Sequence, residues 1–334
     1  MSMKKNVYSG KIFLIIAGPT GTGKSSVALE LAKIIPSEII NADSRQFYKE
    51  INIGAAKPPE TAFQQVVHHL YGFISLKENF TVFDFRKELE KLVPEIWNRK
   101  KAVIVVGGSG LYIRAVMKGI FDFPAEKKAI QNEIRKKLLN YETGKLYQEL
   151  KQVDCECASK IHPNDRRRIV RALEVYHLTG LPMSTWQKQA KPASFIQDAI
   201  VKYWILNMQR EKLYSRLDLR VEAMLESGWL DEVKNLVDAG LKQYLEEKAP
   251  IGYIELCDYI EGKISYDYAV EIIKRKTRNY ARRQLTWFRK EKDAEWIDVT
   301  TTHPEDVAMM LAEEIKKHTF PFLSCREGKI EKQG

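Results

Sequence analysis

Residues 18–25 read Gly18-Pro19-Thr20-Gly21-Thr22-Gly23-Lys24-Ser25, a full match to the phosphate-binding pattern G-x-x-x-x-G-K-[ST]. Its flanks decide the fold. Lys11–Ala17 is a short apolar run with strand character, and Ser26–Lys33 has helical spacing. Strand, glycine loop and helix, in that order, are the context the pattern needs. Glycines let successive backbone N–H groups curl around an anion, and the helix N-terminus adds its partial positive charge. Lys24 supplies a point charge, and the Ser25 hydroxyl is suited to ligating Mg²⁺. The expected ligand is a di- or triphosphate. The alternative, a glycine turn that binds nothing, does not account for the flanking strand and helix. The loop names neither the phosphate compound nor what is done to it.

Working outward, further apolar runs occur at Glu38–Asn41, Ala102–Val106 and Ile200–Asn207, with helical patterns between several of them. That alternation predicts βαβ units and a parallel sheet. Ala102–Val106 runs into Gly107-Gly108-Ser109-Gly110, a strand-to-turn signal at the sheet edge where ligands gather in open α/β folds. Phe83–Trp97 reads as a helix that Pro94 kinks or ends. From about Lys118 to Pro192 strand signals vanish and charged helical patterns take over. There Asn164 is placed to cap a helix over Asp165–Thr179, stopped by Gly180 and Pro182. Helices are expected at Arg210–Glu226, Trp229–Ala239, Tyr268–Lys290 and Pro304–Lys317, with a short strand at Glu295–Val299. The predicted fold class is α/β: a P-loop NTPase-like core with a parallel sheet, plus an inserted all-helical domain. The core takes residues 10–118 and 199–317, the insertion 119–198, and 318–334 form a loose tail.

The chain carries 54 Lys and Arg against 44 Asp and Glu, a net charge of +10 that favours a polyanionic partner: RNA, DNA or an anionic membrane. No stretch approaches the roughly 20 apolar residues of a membrane span. Lys4 and Lys5 precede an apolar run too short for a signal peptide, which ends in the phosphate loop instead of a cleavage site. Cys155, Cys157, Cys257 and Cys325 form no C-x-x-C pair and read as reduced thiols of a cytoplasmic protein.

Asn41-Ala42-Asp43-Ser44-Arg45-Gln46 follows the second strand candidate, which sets Asp43 across from the phosphate loop. A carboxylate there can hold Mg²⁺, remove a proton, or simply shape a turn, and position alone leaves all three open. No later strand offers a clean apolar run followed by the Asp that organises Mg²⁺ and water for γ-phosphate cleavage. The loop is therefore suited to holding a leaving group without cleaving a γ-phosphate. Two basic clusters stand out: Asp165-Arg-Arg-Arg-Ile-Val-Arg171, and Lys274–Lys290, where Tyr280, Trp287 and Phe288 are interleaved with Arg and Lys. Cations beside aromatic planes suit phosphates and bases, and a solvated helix face with buried aromatics is the alternative. Arg216 and Arg220, four apart, share a helix face, suited to a phosphate or to an ion pair. His68-His69 has no partner at ligand spacing and reads as structural.

Together, Gly18–Ser25, Ala42-Asp-Ser-Arg-Gln46, Gly107-Gly-Ser-Gly-Leu-Tyr112, Arg171–Tyr176, Arg220–Leu225, Ile251-Gly-Tyr253 and Arg283-Gln-Leu-Thr-Trp-Phe288 resemble the tRNA dimethylallyltransferases, also called tRNA isopentenyltransferases. The likeness covers roughly residues 11–317 in the expected order. The eukaryotic members' Cys₂His₂ zinc finger has no counterpart here, so a bacterial type is expected. The resemblance implies transfer of a dimethylallyl group from dimethylallyl diphosphate to N6 of the adenosine 3′ of a tRNA anticodon, with Mg²⁺. It implies catalytic roles for Asp43, Thr20 and Arg220, diphosphate binding by residues 18–25 and Arg220, and Mg²⁺ at Ser25. The implied tRNA contacts are Asp43, Ser44, Arg45, Gln46, Ser109, Arg135, Asp165, Arg166, Arg167, Arg168, Ile169, Arg278, Arg282, Arg283 and Gln284. Many relatives have Gln-Arg where this chain has Asp165-Arg166 or Arg166-Arg167. The insertion is expected to grip the anticodon stem-loop, and the chain to act as a cytoplasmic monomer. Two rivals keep the same core: a P-loop nucleotide kinase or adenine-nucleotide prenyltransferase with a small acceptor, and a nucleotide-switched RNA-binding protein with no transfer chemistry.

Overall fold

The structure, a computed structural model, describes residues 10–121 and 128–319. Lys4, Lys5, Cys325 and the expected tail beyond residue 319 lie outside them. In chain order the core begins with β1 (Ile12–Ala17), α1 (Lys24–Ile34), β2 (Ser37–Asn41), α2 (Glu60–Gln65), β3 (His68–His69), α3 (Val82–Asn98), β4 (Ala102–Gly107) and α4 (Gly110–Met117). An all-helical stretch follows: α5 (Lys128–Leu138), α6 (Thr143–Val153), α7 (Cys155–Ala158), α8 (Arg166–Thr179) and α9 (Met183–Gln189). The core resumes with β5 (Ile200–Asn207), α10 (Arg210–Glu226), α11 (Trp229–Asp238), α12 (Lys242–Lys248), α13 (Tyr253–Ile260), α14 (Tyr266–Phe288), β6 (Glu295–Asp298) and α15 (Pro304–Thr319). The chain divides into two compact units, Arg114–Ala193 and the remainder.

The core sheet has the order β3-β2-β4-β1-β5-β6, and every neighbouring pair is parallel. A parallel sheet is covered on both faces, so its central strands are apolar throughout instead of alternating. Every residue of β1 and β4 is buried. Leu14, Ile16, Val27, Leu31, Ile104, Trp204 and Leu311 belong to one continuous cluster that fixes α1 and α15 against the sheet. The helical unit has a core of its own, built around Leu146, Leu150, Ile169 and Leu173.

One local expectation is narrowed and one corrected. Pro94 does not end its helix: α3 continues through it to Asn98. The cap of α8 is Asp165, not Asn164, because the Asp165 carboxylate accepts from the Arg168 N–H at 3.2 Å. β3, which carries the histidine pair, is two residues long and offers no sequence period to detect.

Glu38 of β2 is buried, and its carboxylate ties β2 to β3 and to the α3–β4 turn. It accepts from Arg99 at 2.8 and 3.0 Å, from Lys101 at 3.1 Å, and is 2.7 Å from His69 Nε2. Burial alone would raise its pKa; the hydrogen bonds from Arg99, His69 and Lys101 outweigh that and hold it at about 2. Its stabilisation is present above the ordinary carboxylate value of 4.5 and is lost as pH falls toward 2. Glu38→Ala is expected to cost about 2–3 kcal/mol, read by denaturant unfolding at pH 7, with the difference from the parent shrinking below pH 4.

Candidate active site

The phosphate loop leaves β1 with a close approach. At Gly18, φ is 140°, and a Cβ there would lie 2.4 Å from the Leu206 carbonyl oxygen of β5, so only glycine fits. Thr22 Oγ1 and Lys24 Nζ donate to the Pro19 carbonyl at 2.9 and 2.7 Å, closing the loop on itself. Gly23, at φ 85°, caps α1 and exposes its first amides. Ser25 follows, exposed. Burial brings the Lys24 pKa down to about 8, opposed by the nearby Asp43 and reinforced by Arg220.

Two arginines of α10 meet the loop. Arg220 Nη1 donates to Thr20 Oγ1 at 3.1 Å. Arg216 reaches Gly23, where a Cβ would lie 3.7 Å from its Nη2. Burial lowers the Arg220 pKa, opposed by Asp43 and reinforced by Arg216. Their shared helix face is the loop-facing one. Asp218, off that face, pairs instead with Arg278 of α14 at 2.6 Å.

Asp43 follows β2. The backbone before it is locked to β4: the Ala42 N–H donates to the Val106 carbonyl at 2.7 Å, and the Ser109 N–H to that of Ala42 at 3.2 Å. The Asn41 side chain brackets Asp43, accepting from its N–H at 2.8 Å and donating to its carbonyl at 3.1 Å. Asp43 Oδ1 accepts from the Arg45 N–H at 3.0 Å, while Oδ2 has no hydrogen-bond partner among the described residues. One oxygen shapes the turn and the other is available.

Thr20, Asp43, Arg45, Arg220, Tyr280 and Arg283 line one cavity of about 240 Å³. Leu217, Val221, Met224, Trp229 and Ile251 supply its apolar wall. The wall includes Gly54 and Ala55, on a loop held by Glu232 of α11. The Glu232 carboxylate accepts from the N–H groups of Asn52 (3.0 Å), Ile53 (2.9 Å) and Gly54 (3.3 Å), and from the Tyr253 hydroxyl. Glu232→Ala strips these donors of their acceptor and is expected to cost about 2–3 kcal/mol. Thermal denaturation checks that loss, which Glu232→Gln, keeping one acceptor oxygen, should reduce. Such a cavity fits a diphosphate carrying a short apolar group beside a nucleophile facing a carboxylate. Glu232 and the apolar wall were missed in the sequence, since their members are scattered and each reads as ordinary core. Arg220–Leu225, which holds Val221 and Met224, and Ile251-Gly-Tyr253 hinted at the wall.

The expected RNA contacts divide sharply. Ser44 and Ser109 meet, the Ser44 N–H donating to Ser109 Oγ at 3.1 Å. Arg45 donates to the Lys248 carbonyl. Gln46, Ile169 and Gln284 are buried and present no side chain to a surface. Gln46 donates to the Ala55 and Ala56 carbonyls at 3.0 and 2.9 Å. Gln284 spans the phosphate loop and the turn after β4. Arg278 is held by Asp218, and Arg282 and Arg283 are exposed, Arg283 with its guanidinium 5.7 Å from the Tyr280 ring centre. In the helical unit, Arg135 binds the buried Glu174, and Arg166 donates to Thr143 Oγ1 and the Leu139 carbonyl at 2.9 and 2.7 Å. Arg168 pairs with Asp165 at 3.4 Å, and Arg167 is exposed with no ion pair among the described residues.

No group of three or more His, Cys, Asp or Glu that could hold a metal occurs among the described residues. A divalent ion would therefore take few protein ligands and more from a phosphate ligand and water. Among the described residues no helix is long and apolar enough to cross a membrane.

The parallel sheet and the strand–loop–helix around Gly18–Ser25 define a P-loop α/β protein. Residues 46–291 match the family model described as IPP transferase. The chain is 42% identical over 295 residues to tRNA dimethylallyltransferase 2 of Geotalea uraniireducens (strain Rf4), covering 88% of this chain and 93% of that protein. The full-length tRNA isopentenylpyrophosphate transferase of Bacillus halodurans is 34% identical, with a TM-score of 0.66 over 92% of this chain and 97% of that one. A eukaryotic dimethylallyltransferase acting on tRNA is 29% identical, with a TM-score of 0.75 over 93% of this chain and 80% of that one. This chain belongs to the IPP transferase family.

Proposed function

We propose that this protein transfers the dimethylallyl group of dimethylallyl diphosphate to N6 of the adenosine adjacent to the anticodon on its 3′ side in tRNA, releasing diphosphate. One observation carries the reading: Thr20 of the phosphate loop, the Arg220 guanidinium that bonds it, and Asp43, which keeps one carboxylate oxygen unpaired among the described residues, line the same partly apolar cavity. The loop amides, Lys24, Thr20, Arg216 and Arg220 receive the diphosphate and neutralise the charge that grows on its bridging oxygen. The N6 nitrogen attacks the allylic C1, the C1–O bond breaks with its electron pair leaving on diphosphate, and Asp43 Oδ2 takes the N6 proton. Leu217, Val221, Met224 and Trp229 shelter the five-carbon chain. Ser25 would hold Mg²⁺ together with diphosphate oxygens, and the ion would add charge to the leaving-group side. The adenosine must leave its stack to reach the cavity. Arg282 and Arg283, and Arg167 and Arg168 on the helical unit, are the exposed cations suited to the anticodon stem-loop. Such a reaction is one of the cytoplasm, and nothing in it requires more than one copy of the chain.

The test follows label from radiolabelled dimethylallyl diphosphate, with Mg²⁺, into three acceptors: unmodified tRNA with adenosine at that position, the same tRNA with guanosine there, and free AMP. Label in the first alone is expected. Label in AMP points to a small-molecule acceptor, and label in none contradicts transfer.

A further inference from the structure

Gln284 has surroundings unlike those of an RNA contact. It lies on α14, one turn beyond Tyr280 and next to Arg283, both of which line the cavity. Its own side chain turns inward and is 6% exposed. Its amide oxygen accepts from the Thr20 N–H at 2.9 Å, and its amide nitrogen donates to the Gly108 carbonyl at 2.9 Å. A Cβ at Gly108 would lie 2.3 Å from that nitrogen, so the turn after β4 presses directly on the amide. One planar group thus ties the phosphate loop, the β4 turn and α14 together, using an acceptor and a donor at once. Glutamate, with two acceptors, would set an oxygen against the Gly108 carbonyl. Methionine would fill the space and make neither hydrogen bond.

We infer that Gln284 is a positioning residue for the transfer: it holds Thr20 where its hydroxyl meets Arg220, and fixes Tyr280 and Arg283 relative to the bound diphosphate. This role rests on the prenyl-transfer reading above. It acts on the donor end of the cavity, so its loss should show in turnover and donor KM and spare RNA affinity. An RNA-contact role predicts the reverse.

The experiment compares the parent chain with Gln284→Met and Gln284→Glu. It measures kcat, KM for each substrate, tRNA Kd by filter binding, and melting temperature. kcat is expected to fall about 10–100-fold, as misplacement of reacting groups by a fraction of an ångström to one ångström does, with donor KM raised and tRNA Kd unchanged. Gly108→Ala, which leaves Gln284 in place but pushes on its amide, should reproduce the kcat loss and covers the case of a Gln284 variant that fails to fold. Raised tRNA Kd with kcat intact would make Gln284 an RNA contact and overturn the inference, and so would unchanged kinetics in both Gln284 variants and Gly108→Ala. A parent chain that moves no label to tRNA overturns the reaction itself and this role with it.

Discussion

Replacing Asp43 by asparagine lowers kcat for prenyl transfer by about 10²–10⁴-fold, the usual worth of a positioned general base, and leaves tRNA Kd unchanged. Asparagine is the informative choice. Asp43 Oδ1 accepts from the Arg45 N–H, and an asparagine carbonyl keeps that turn. What it removes is the basicity of Oδ2. The turn role and the proton role, which position in the chain left open together, are therefore separated by one atom. Asp43→Ala removes both and should be at least as slow, with some loss of stability. Single-turnover transfer with saturating donor checks the prediction. Full activity in Asp43→Asn would reduce Asp43 to a turn residue and leave the proton without an acceptor in this account.

Lys24→Met carries the second large effect. Its ammonium rests on the Pro19 carbonyl inside the loop, 2.7 Å away, where an arriving diphosphate would draw it off. Losing a preorganised cation aimed at developing charge costs about 10²–10³-fold in kcat. The parent chain adds a pH signature. Burial sets the Lys24 pKa at about 8 in the free protein, below the ordinary 10.5, so the ammonium form dominates below pH 8 and is lost above it. Donor kcat/KM, which reports the free enzyme, should therefore fall as pH rises through about 8. Arg220→Ala, which removes the hydrogen bond to Thr20 Oγ1 and a cation that helps lower the Lys24 pKa, is expected to lower kcat and to move that inflection upward. A kcat/KM profile flat between pH 7 and 10 contradicts the assignment.

The parts of this molecule that were legible in its sequence are the local ones. β1, the glycine loop and α1 are contiguous, and each is recognisable from residues next to one another. β4 running into Gly107-Gly108 was legible for the same reason. The order β3-β2-β4-β1-β5-β6 was not, because it is set by pairings between segments far apart, such as Ile16 with Val106 and with Trp204. Pro94 is tolerated inside α3 because its missing N–H costs one hydrogen bond, which the burial of Leu89, Val93 and Ile96 on the same helix outweighs. The basic stretch of α14 reads as one RNA-facing surface, yet its residues point three ways: Arg278 to Asp218, Gln284 into the phosphate loop, and Arg282 to solvent. A polar residue in a charged segment carries no mark of the side it faces. The same holds for Arg135 and Arg166, whose side chains bind Glu174 and the α5–α6 turn.

In the proposed function one cavity joins the diphosphate leaving group to a single exocyclic amine of a tRNA base. The most direct test digests tRNA after incubation with dimethylallyl diphosphate and Mg²⁺, and maps the product by mass spectrometry. One adenosine enlarged by C₅H₈ at N6, immediately 3′ of the anticodon, is expected, and no such nucleoside with Asp43→Asn in single-turnover time. Addition at another nucleotide or on a ring nitrogen, or no addition by folded protein acting on intact tRNA, would contradict the proposed function.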